Sequence, residues 1–120
     1  MRYMLLIYAN EAAMAAAPSD KTYEISTAYG AYTEALKKSG AWLAGDRLKP
    51  TQLATAVRTA NGKTNVLDGP YADTKEQFAG YYFVEAADLD EAISWAKRCP
   101  SSKYGSIEIR PVVAAQGNRK

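Results

Sequence analysis

Two strand–helix–strand patterns, separated by a hairpin pattern, constrain the fold of this chain more than any other feature of its sequence. The first begins with a continuous apolar run over residues 3–8, which is typical of a central strand. A loop through Pro18 is expected next, and then a helix with one apolar stripe, with Ser19 or Asp20 as its cap and Gly40 as its end. Residues 41–48 then predict a second strand.

The second pattern repeats this order. Residues 80–85 are rich in aromatic and β-branched side chains and predict a strand. Asp88 and Glu91 have the spacing of a capping box, so a helix is expected to begin after Asp88. Residues 106–110 alternate between polar and apolar side chains, which predicts a final strand with one buried face.

The segment between these units predicts a β-hairpin. Its two runs, residues 54–59 and 64–68, alternate in character and are separated by Asn61 and Gly62, which favour a turn with two positive φ angles. The chain is therefore predicted to be α+β, a ferredoxin-like βαββαβ sandwich with an inserted β-hairpin. We expect one domain over residues 1–113, followed by a polar tail over residues 114–120 that frays.

Helices on one face of the sheet would leave the other face uncovered. We expect that face to carry alternate residues of the first strand, Tyr3, Leu5 and Ile7, together with residues of the 81–84 strand. Soluble proteins rarely leave such an apolar patch bare. The sequence therefore predicts a two-fold homodimer, sheet against sheet.

Composition excludes several classes of chemistry. None of the 120 residues is histidine, which rules out Ser-His-Asp and Cys-His nucleophile systems and the commoner zinc sites within the chain. The one cysteine, Cys99, rules out an internal disulfide, fits a reducing compartment and is expected to be a small buried residue near a helix end. No metal and no cofactor are predicted.

Charge and hydropathy limit the classes of partner and the location expected for this chain. Lys and Arg total 15 against 13 acidic residues, and the net charge of +2 favours no nucleic-acid partner. RNA-recognition domains share this order of elements, but Ala79, Tyr82 and Ala86 depart from their aromatic strand pattern. The first apolar run is too short for a secretion signal or a membrane span, so a soluble, cytoplasmic protein is expected.

The motif Asp68-Gly69-Pro70-Tyr71 lies one aromatic residue away from the Asp-Gly-Pro-Phe signature of the YCII-related (DGPF) family. Further matching segments extend over nearly the whole chain: residues 3–8, 30–36, 68–82, 88–92 and 107–111. The chain resembles this family. The resemblance implies a dimeric α+β barrel related to muconolactone isomerase-like and dehydrohalogenase-like enzymes, with a His and an Asp acting as acid and base in a cleft between helix and sheet.

Asp68 is the first candidate catalytic residue. Burial at its Gly-Pro turn would raise its pKa toward that of a working base. The alternative is a structural carboxylate that accepts N–H bonds from the turn and has a lowered pKa. The sequence leaves these two interpretations open.

Tyr29 is the second candidate, because it occupies the helical position before Gly30 where the resemblance implies a histidine. A phenol with an ordinary pKa near 10 is no routine base at neutral pH, but it can donate a hydrogen bond to a developing oxyanion. The alternative is an aromatic residue of the buried helix stripe. Gly30 itself costs about 1 kcal/mol relative to Ala in a helix, which predicts a close neighbour there.

Four further residues are candidates for contact with a small substrate. Asp46 and Arg47, near the end of the second predicted strand, are candidates for binding an anionic substrate. The alternative is that both are exposed surface residues without a binding role. Tyr71 and Tyr82 would shape the ligand cleft. The resulting hypothesis is a cofactor-independent isomerase or lyase that acts by proton transfer.

A different class of function stays open. The family also resembles proteins encoded beside, or fused to, extracytoplasmic-function sigma factors. The absence of the family histidine is consistent with a non-catalytic module that binds a small ligand or regulates a partner. We retain this module as the alternative function.

Overall fold

A computed structural model describes residues 1–114 of the chain. Its strands are β1 (Arg2–Ala9), β2 (Trp42–Arg47), β3 (Thr55–Ala60), β4 (Lys63–Asp68), β5 (Gln77–Glu85) and β6 (Ser106–Pro111). Its helices are α1 (Glu11–Ala15), α2 (Ser19–Ser39) and α3 (Leu89–Arg98). Apart from Ala114, the predicted polar tail lies outside the described residues. Within residues 1–114, no helix has the length and apolar character needed to cross a membrane.

The main sheet has the strand order β2-β5-β1-β6, and every neighbouring pair is antiparallel. Strands β3 and β4 form a separate two-stranded sheet. Helices α2 and α3 cover one face of the main sheet, where their buried residues join one core with those of the strands. The predicted ferredoxin-like α+β fold with an inserted hairpin is therefore confirmed.

The first strand buries the side that faces the helices. Tyr3, Leu5 and Ile7 alternate with half-buried residues and are each 5% exposed or less. The expectation that these three residues lie on the uncovered face was wrong. Because successive side chains of a strand point to opposite faces, a different set occupies that face.

The uncovered side, here called the open face, includes half-buried residues of β1 and β5, most of which lie directly opposite one another in the sheet. They are Arg2, Met4, Leu6, Tyr8, Phe78, Tyr81 and Phe83. Tyr8 contacts Phe78 with ring centroids 5.5 Å apart, and the Arg2 guanidinium lies 5.5 Å from the Phe83 ring. This face is more aromatic than the one predicted from the sequence.

Helix α2 begins at Ser19 with Pro18 as its N-cap and no side-chain cap, so the predicted cap by Ser19 or Asp20 was wrong. Gly40 ends the helix in the left-handed conformation, as predicted. A Cβ atom added at Gly30 would meet no atom within 4 Å, and the expected close neighbour is absent from the described residues. The cost of Gly30 therefore has no packing explanation among residues 1–114.

The other predicted turns and caps have clear outcomes. Asp88 accepts the Glu91 N–H at 2.9 Å, as the capping box requires, whereas the Glu91 carboxylate accepts the N–H of Ala87 in place of that of Asp88. Asn61 and Gly62 have φ angles of 53° and 76°, as a two-residue hairpin turn demands. The segment between β1 and α2, predicted as a loop, contains the short helix α1.

Candidate functional site

Four aromatic side chains pack between α2 and the main sheet and form what we call the tyrosine cluster: Tyr29, Tyr32, Trp42 and Tyr82. The Tyr29 and Tyr82 rings are nearly parallel, with centroids 6.2 Å apart. Tyr32 and Trp42 meet Tyr82 edge to face, at 5.1 and 6.0 Å. Offset-parallel and edge-to-face contacts are the arrangements that aromatic pairs prefer, so the cluster holds its rings in defined positions.

Tyr29 connects the cluster to the segment that follows α3. Its hydroxyl donates a hydrogen bond to the Ser101 Oγ, and the Cys99 Sγ lies 3.7 Å from the same phenol oxygen. Ser101 belongs to a short 3-10 turn, Pro100–Lys103, and is half-buried. The Ser101 hydroxyl keeps its own proton, so it can donate to a group outside the cluster.

The two other phenols are bound to the protein itself. Tyr32 donates to the backbone carbonyl of Trp95 at 2.7 Å. The Tyr82 hydroxyl lies 3.0 Å from the Thr33 Oγ1, and Thr33 is half-buried on α2, four residues after Tyr29. Thr33 and Tyr29 therefore share one side of the helix.

Burial controls the charge of the cluster. Burial is the largest cause that raises the pKa of the Tyr29, Tyr32 and Tyr82 phenols above 10. The hydrogen bonds with Ser101 and Thr33 lower the pKa of Tyr29 and Tyr82, respectively, by less than burial raises it. All three phenols are consequently neutral at pH 7. They can act as hydrogen-bond donors, as Tyr29 does to Ser101 and Tyr32 to the Trp95 carbonyl, but they cannot act as bases.

A groove of about 370 Å³ runs between α2 and the last turn of α3 with the segment that follows it. Tyr32 and Cys99 line it, and the cationic residues Lys97, Arg98 and Lys103 also contribute to its walls. Burial also raises the pKa of the Cys99 thiol, which favours its neutral form. The Glu24 carboxylate also lines the groove, so three cations and one anion border it.

Asp46 and Arg47 lie at the end of β2 and are exposed. Asp46 is opposite Tyr81 in the sheet and accepts a hydrogen bond from its hydroxyl at 3.1 Å. Arg47 is opposite Gly80. The two residues therefore lie at the edge strand of the main sheet, beside the open face.

Asp68 and Tyr71 lie elsewhere. Asp68 is the last residue of β4 and is exposed, and Tyr71 is 80% exposed in the turn that follows. The Arg58 guanidinium lies 5.6 Å from the centre of the Tyr71 ring. Both candidates thus belong to the inserted hairpin and its exit.

Of the six predicted site residues, Tyr29 and Tyr82 are in contact within one chain. Asp46 and Arg47 are adjacent in sequence, and Asp68 and Tyr71 are three residues apart. The groove beside α2 is lined by neither Asp68 nor Tyr29, and the same is true of a cavity of about 310 Å³ beside Met1. Within a single chain the acid–base pair Asp68 and Tyr29 therefore does not share either cavity.

Sequence reasoning missed three residues of this region: Ser101, Thr33 and Trp42. The spacing of four residues from Tyr29 was a signal for Thr33. Ser101 had no such signal, because it contacts Tyr29 across 72 residues of chain.

The family model of the YCII-related domain matches residues 1–116. An uncharacterized protein of Rhizobium meliloti (strain 1021) is 33% identical over 114 residues, which cover 93% of this chain and 92% of that protein. Among solved structures, the 5-chloro-2-hydroxyhydroquinone dehydrochlorinase of Burkholderia phenoliruptrix AC1100, in complex with 2,5-dihydroxybenzoquinone, superposes with a TM-score of 0.55. That enzyme is 15% identical, and the match covers 98% of each chain. The likeness to the dehydrochlorinase is a likeness of fold.

Proposed function

The chain belongs to the YCII-related domain family, and on that premise we propose that it is a homodimeric isomerase or lyase that acts on a small organic molecule by proton transfer. The reaction requires a group that takes a proton and a group that stabilises the charge left behind. It requires no metal ion and no redox cofactor. Asp68 is the proposed proton acceptor, and Tyr29 is the proposed source of hydrogen bonding to the developing oxyanion.

The observation that carries the proposal is the hydrogen bond from Tyr29 to Ser101. Burial keeps the phenol neutral, so its proton remains available as a fixed donor across the physiological pH range. Donation by Tyr29 polarises the Ser101 hydroxyl and strengthens it as a donor in turn. A pre-oriented chain of two donors is the type of arrangement that stabilises negative charge in a transition state.

The substrate class proposed for testing comes from the structural neighbour. That enzyme is named for the removal of chloride from 5-chloro-2-hydroxyhydroquinone. In such an elimination a base takes a proton, the electron pair left behind forms a new π bond, and chloride departs with the electrons of its bond to carbon. We propose that this chain takes substituted hydroxyquinols or related small ring compounds, with Arg47, Asp46, Tyr71 and Tyr82 at the binding surface.

The homodimer is proposed through the open face. This face presents aromatic and aliphatic side chains such as Leu6, Tyr81 and Phe83, which are half-buried in one chain. Apolar patches of this kind are normally covered, and two-fold pairing allows one surface to cover another copy of itself. Two sheets packed in this way would form the dimeric α+β barrel.

The proposal is tested by release of chloride from 5-chloro-2-hydroxyhydroquinone, measured for the native protein, Asp68→Asn and Tyr29→Phe. We expect a loss of about a hundredfold or more for Asp68→Asn, as for removal of a general base. Asp73→Asn is the matched control, because Asp73 is an exposed carboxylate five residues further along the chain. Equal rates for Asp68→Asn and Asp73→Asn would remove Asp68 from the mechanism.

One observation favours the alternative, a non-catalytic ligand-binding or regulatory module of the kind associated with extracytoplasmic-function sigma factors. Asp68 is exposed at the end of β4 and lines neither of the two cavities, as a carboxylate without a catalytic role would. The module would be supported if the protein bound 2,5-dihydroxybenzoquinone, as monitored by NMR chemical-shift changes, but turned over no hydroxyquinol. Turnover that depends on Asp68 would exclude it.

A further inference from the structure

We propose that the groove between α2 and the end of α3 binds a single-chain amphiphile, with a hydrocarbon chain along the groove and a carboxylate at one end. This groove, called the helix groove below, is bordered by α2 from Glu24 to Ala35 and by the segment from Lys97 to Tyr104. Asp68 does not line it. The inference therefore goes beyond the proposed function and describes a second site.

The helix groove is long and narrow. Its α2 wall runs from Ile25 to Ala35, which is about 15 Å along a helix axis. A volume of about 370 Å³ over that length gives a mean cross-section of about 25 Å². An α-helix with its side chains is about 10 Å wide, or about 80 Å² in section, and is too wide to enter. The dimensions favour one extended chain over a helix of a partner protein.

The walls of the helix groove offer few groups that could hydrogen-bond to the middle of a ligand. On α2, the lining side chains Ile25, Ala28 and Ala35 carry no polar atoms. The Tyr32 hydroxyl already donates to a backbone carbonyl of α3 at 2.7 Å. Burial raises the pKa of the Cys99 thiol, which therefore stays neutral and is only a weak hydrogen-bonding group. Hydrocarbon is the ligand chemistry that such walls favour.

Cations border the helix groove in excess. Lys97, Arg98 and Lys103 line it and make no ion pair with a residue of the described range 1–114. The one acidic residue that lines it within this range, Glu24, lies 3.8 Å from Lys21. Lys97 and Arg98 also suit the negative end of α3, but Lys103 lies beyond that helix. The remaining positive charge complements an anionic group on the ligand.

The two ends of the helix groove differ in charge. The Lys21 ammonium lies 5.0 Å from the centre of the Tyr104 ring, so the first turn of α2, and the acidic residue one turn along, are at the Tyr104 end. Tyr32, further along α2, donates to the α3 carbonyl two residues before Lys97. Lys97 and Arg98 therefore lie toward the other end, where no lining residue is acidic. The carboxylate belongs at this end, and the hydrocarbon chain extends toward Tyr104.

The helix groove stays accessible in the proposed homodimer. Helices α2 and α3 pack on one side of the main sheet, and the open face is on the other side. Pairing of two open faces leaves both helices on the outside of the dimer. Binding in the groove therefore does not depend on whether the dimer forms.

A series of saturated carboxylates from hexanoate to tetradecanoate tests the hydrocarbon part. Binding is measured by NMR titration and calorimetry, with each compound kept below the concentration at which it forms micelles. We expect affinity to rise about fourfold per added methylene and to level off once the chain is longer than the groove. Decanol should bind about tenfold or more weakly than decanoate, because it lacks the charge. Affinity that is independent of chain length, or equal for decanol and decanoate, overturns the inference.

A matched pair of variants tests the location. Thr27 and Ala28 are adjacent exposed residues of α2, and only Ala28 lines the helix groove. We expect Ala28→Phe to weaken decanoate binding about tenfold or more by filling the groove, and Thr27→Phe to leave it unchanged. Circular dichroism establishes that both variants fold. Equal decanoate affinity in two folded variants overturns the inference.

A second pair tests the charge and needs no change in packing. Lys97 and Arg98 are exposed cations in the last turn of α3, and Lys37 and Lys38 are exposed cations in the last turn of α2 that do not line the helix groove. Replacing both residues of the α3 pair by Gln should weaken decanoate binding about tenfold and leave decanol binding unchanged. Replacing both residues of the α2 pair by Gln should change neither. Equal losses of decanoate affinity in the two double variants overturn the inference.

The source of the amphiphile is distinguished by its physical state. Saturable binding of one decanoate per chain below the micelle concentration supports the site. Binding that occurs only to micelles, or only to vesicles that contain phosphatidylglycerol, would identify a charged membrane-binding surface and overturns the inference. None of these measurements involves Asp68 or chloride release, so the proposed function and this site stand or fall independently.

Discussion

The Glu11 carboxylate binds Thr51 at two points, the backbone N–H and the side-chain hydroxyl, and so joins α1 to the segment that enters the β3–β4 hairpin. The two residues are 40 positions apart in the chain. The short helix that carries Glu11 was not expected from the sequence. Its position now explains how the entry to the β3–β4 hairpin is held.

Glu11→Ala tests this contact. Because it removes two hydrogen bonds to a charged acceptor in a half-buried place, we expect the free energy of unfolding to fall by about 1–3 kcal/mol in urea denaturation. Glu24→Ala is the control, since Glu24 makes an exposed ion pair with Lys21 that is worth about 0.5 kcal/mol or less. Equal losses in the two variants would show that the Thr51 contact is not stabilising.

The tyrosine cluster predicts alkaline sensitivity. The phenols of Tyr29, Tyr32 and Tyr82 have a raised pKa in the folded state, whereas in the unfolded state they ionise near pH 10. Above pH 10 the unfolded chain therefore binds fewer protons than the folded chain, and stability falls as the pH rises. Each such phenol contributes about 1.4 kcal/mol of loss per pH unit while it stays protonated in the folded state.

Urea denaturation at pH 8, 10 and 11 measures this loss. Tyr29→Phe removes one of the three groups, so its stability should decline less steeply with pH than that of the native protein. Tyr71→Phe, at a side chain that is 80% exposed, should follow the native decline. Parallel declines in all three proteins would contradict the role of burial.

Two glycine replacements should have opposite effects. A Cβ atom at Gly30 meets open space on an exposed stretch of α2, so Gly30→Ala should stabilise the protein by about 0.5–1 kcal/mol. A Cβ atom at Gly45 would lie 2.9 Å from the Tyr82 ring and 3.2 Å from Trp42, and Gly45→Ala should cost about 1–3 kcal/mol. Thermal unfolding of both variants checks the signs. If Gly45→Ala stabilised the protein, the Tyr82 and Trp42 rings would have to move aside at little cost in free energy.

Cys99 should be chemically inert in the folded protein. It is 1% exposed, and burial raises the pKa of its thiol, so little reactive thiolate forms. A thiol-specific chromogenic disulfide at pH 8 should react with one thiol per chain in denaturant and with almost none in buffer. Rapid reaction in buffer would show that the segment after α3 opens readily.

Local patterns predicted much of the fold. The hairpin turn at Asn61 and Gly62 and the helix end at Gly40 depend on backbone conformations that neighbouring residues determine. The N-terminal end of α2 was predicted less well, because the spacing of apolar residues does not distinguish Pro18 from Ser19 as the cap. Helix α1 was missed since five residues provide too little periodicity to detect.

The candidate site was predicted in part. Tyr29 was chosen from its place in the family pattern, and its contact with Tyr82 is present in the structure. Ser101 and the location of Asp68 on an exposed hairpin depend on which distant segments meet. No pattern within a single sequence indicates which distant segments come into contact.

The order of the strands and the two longer helices, the hairpin turn, the family and the absence of imidazole chemistry were all determined by the amino-acid sequence alone, because each depends on residue type and short-range spacing. Which side of β1 faces the helices was decided only by tertiary structure. A continuous apolar run such as residues 3–8 suits burial on either side, and packing against Tyr32 and Leu36 of α2 selects Leu5 and Ile7 for the core. The same selection leaves Met4 and Leu6 on the open face.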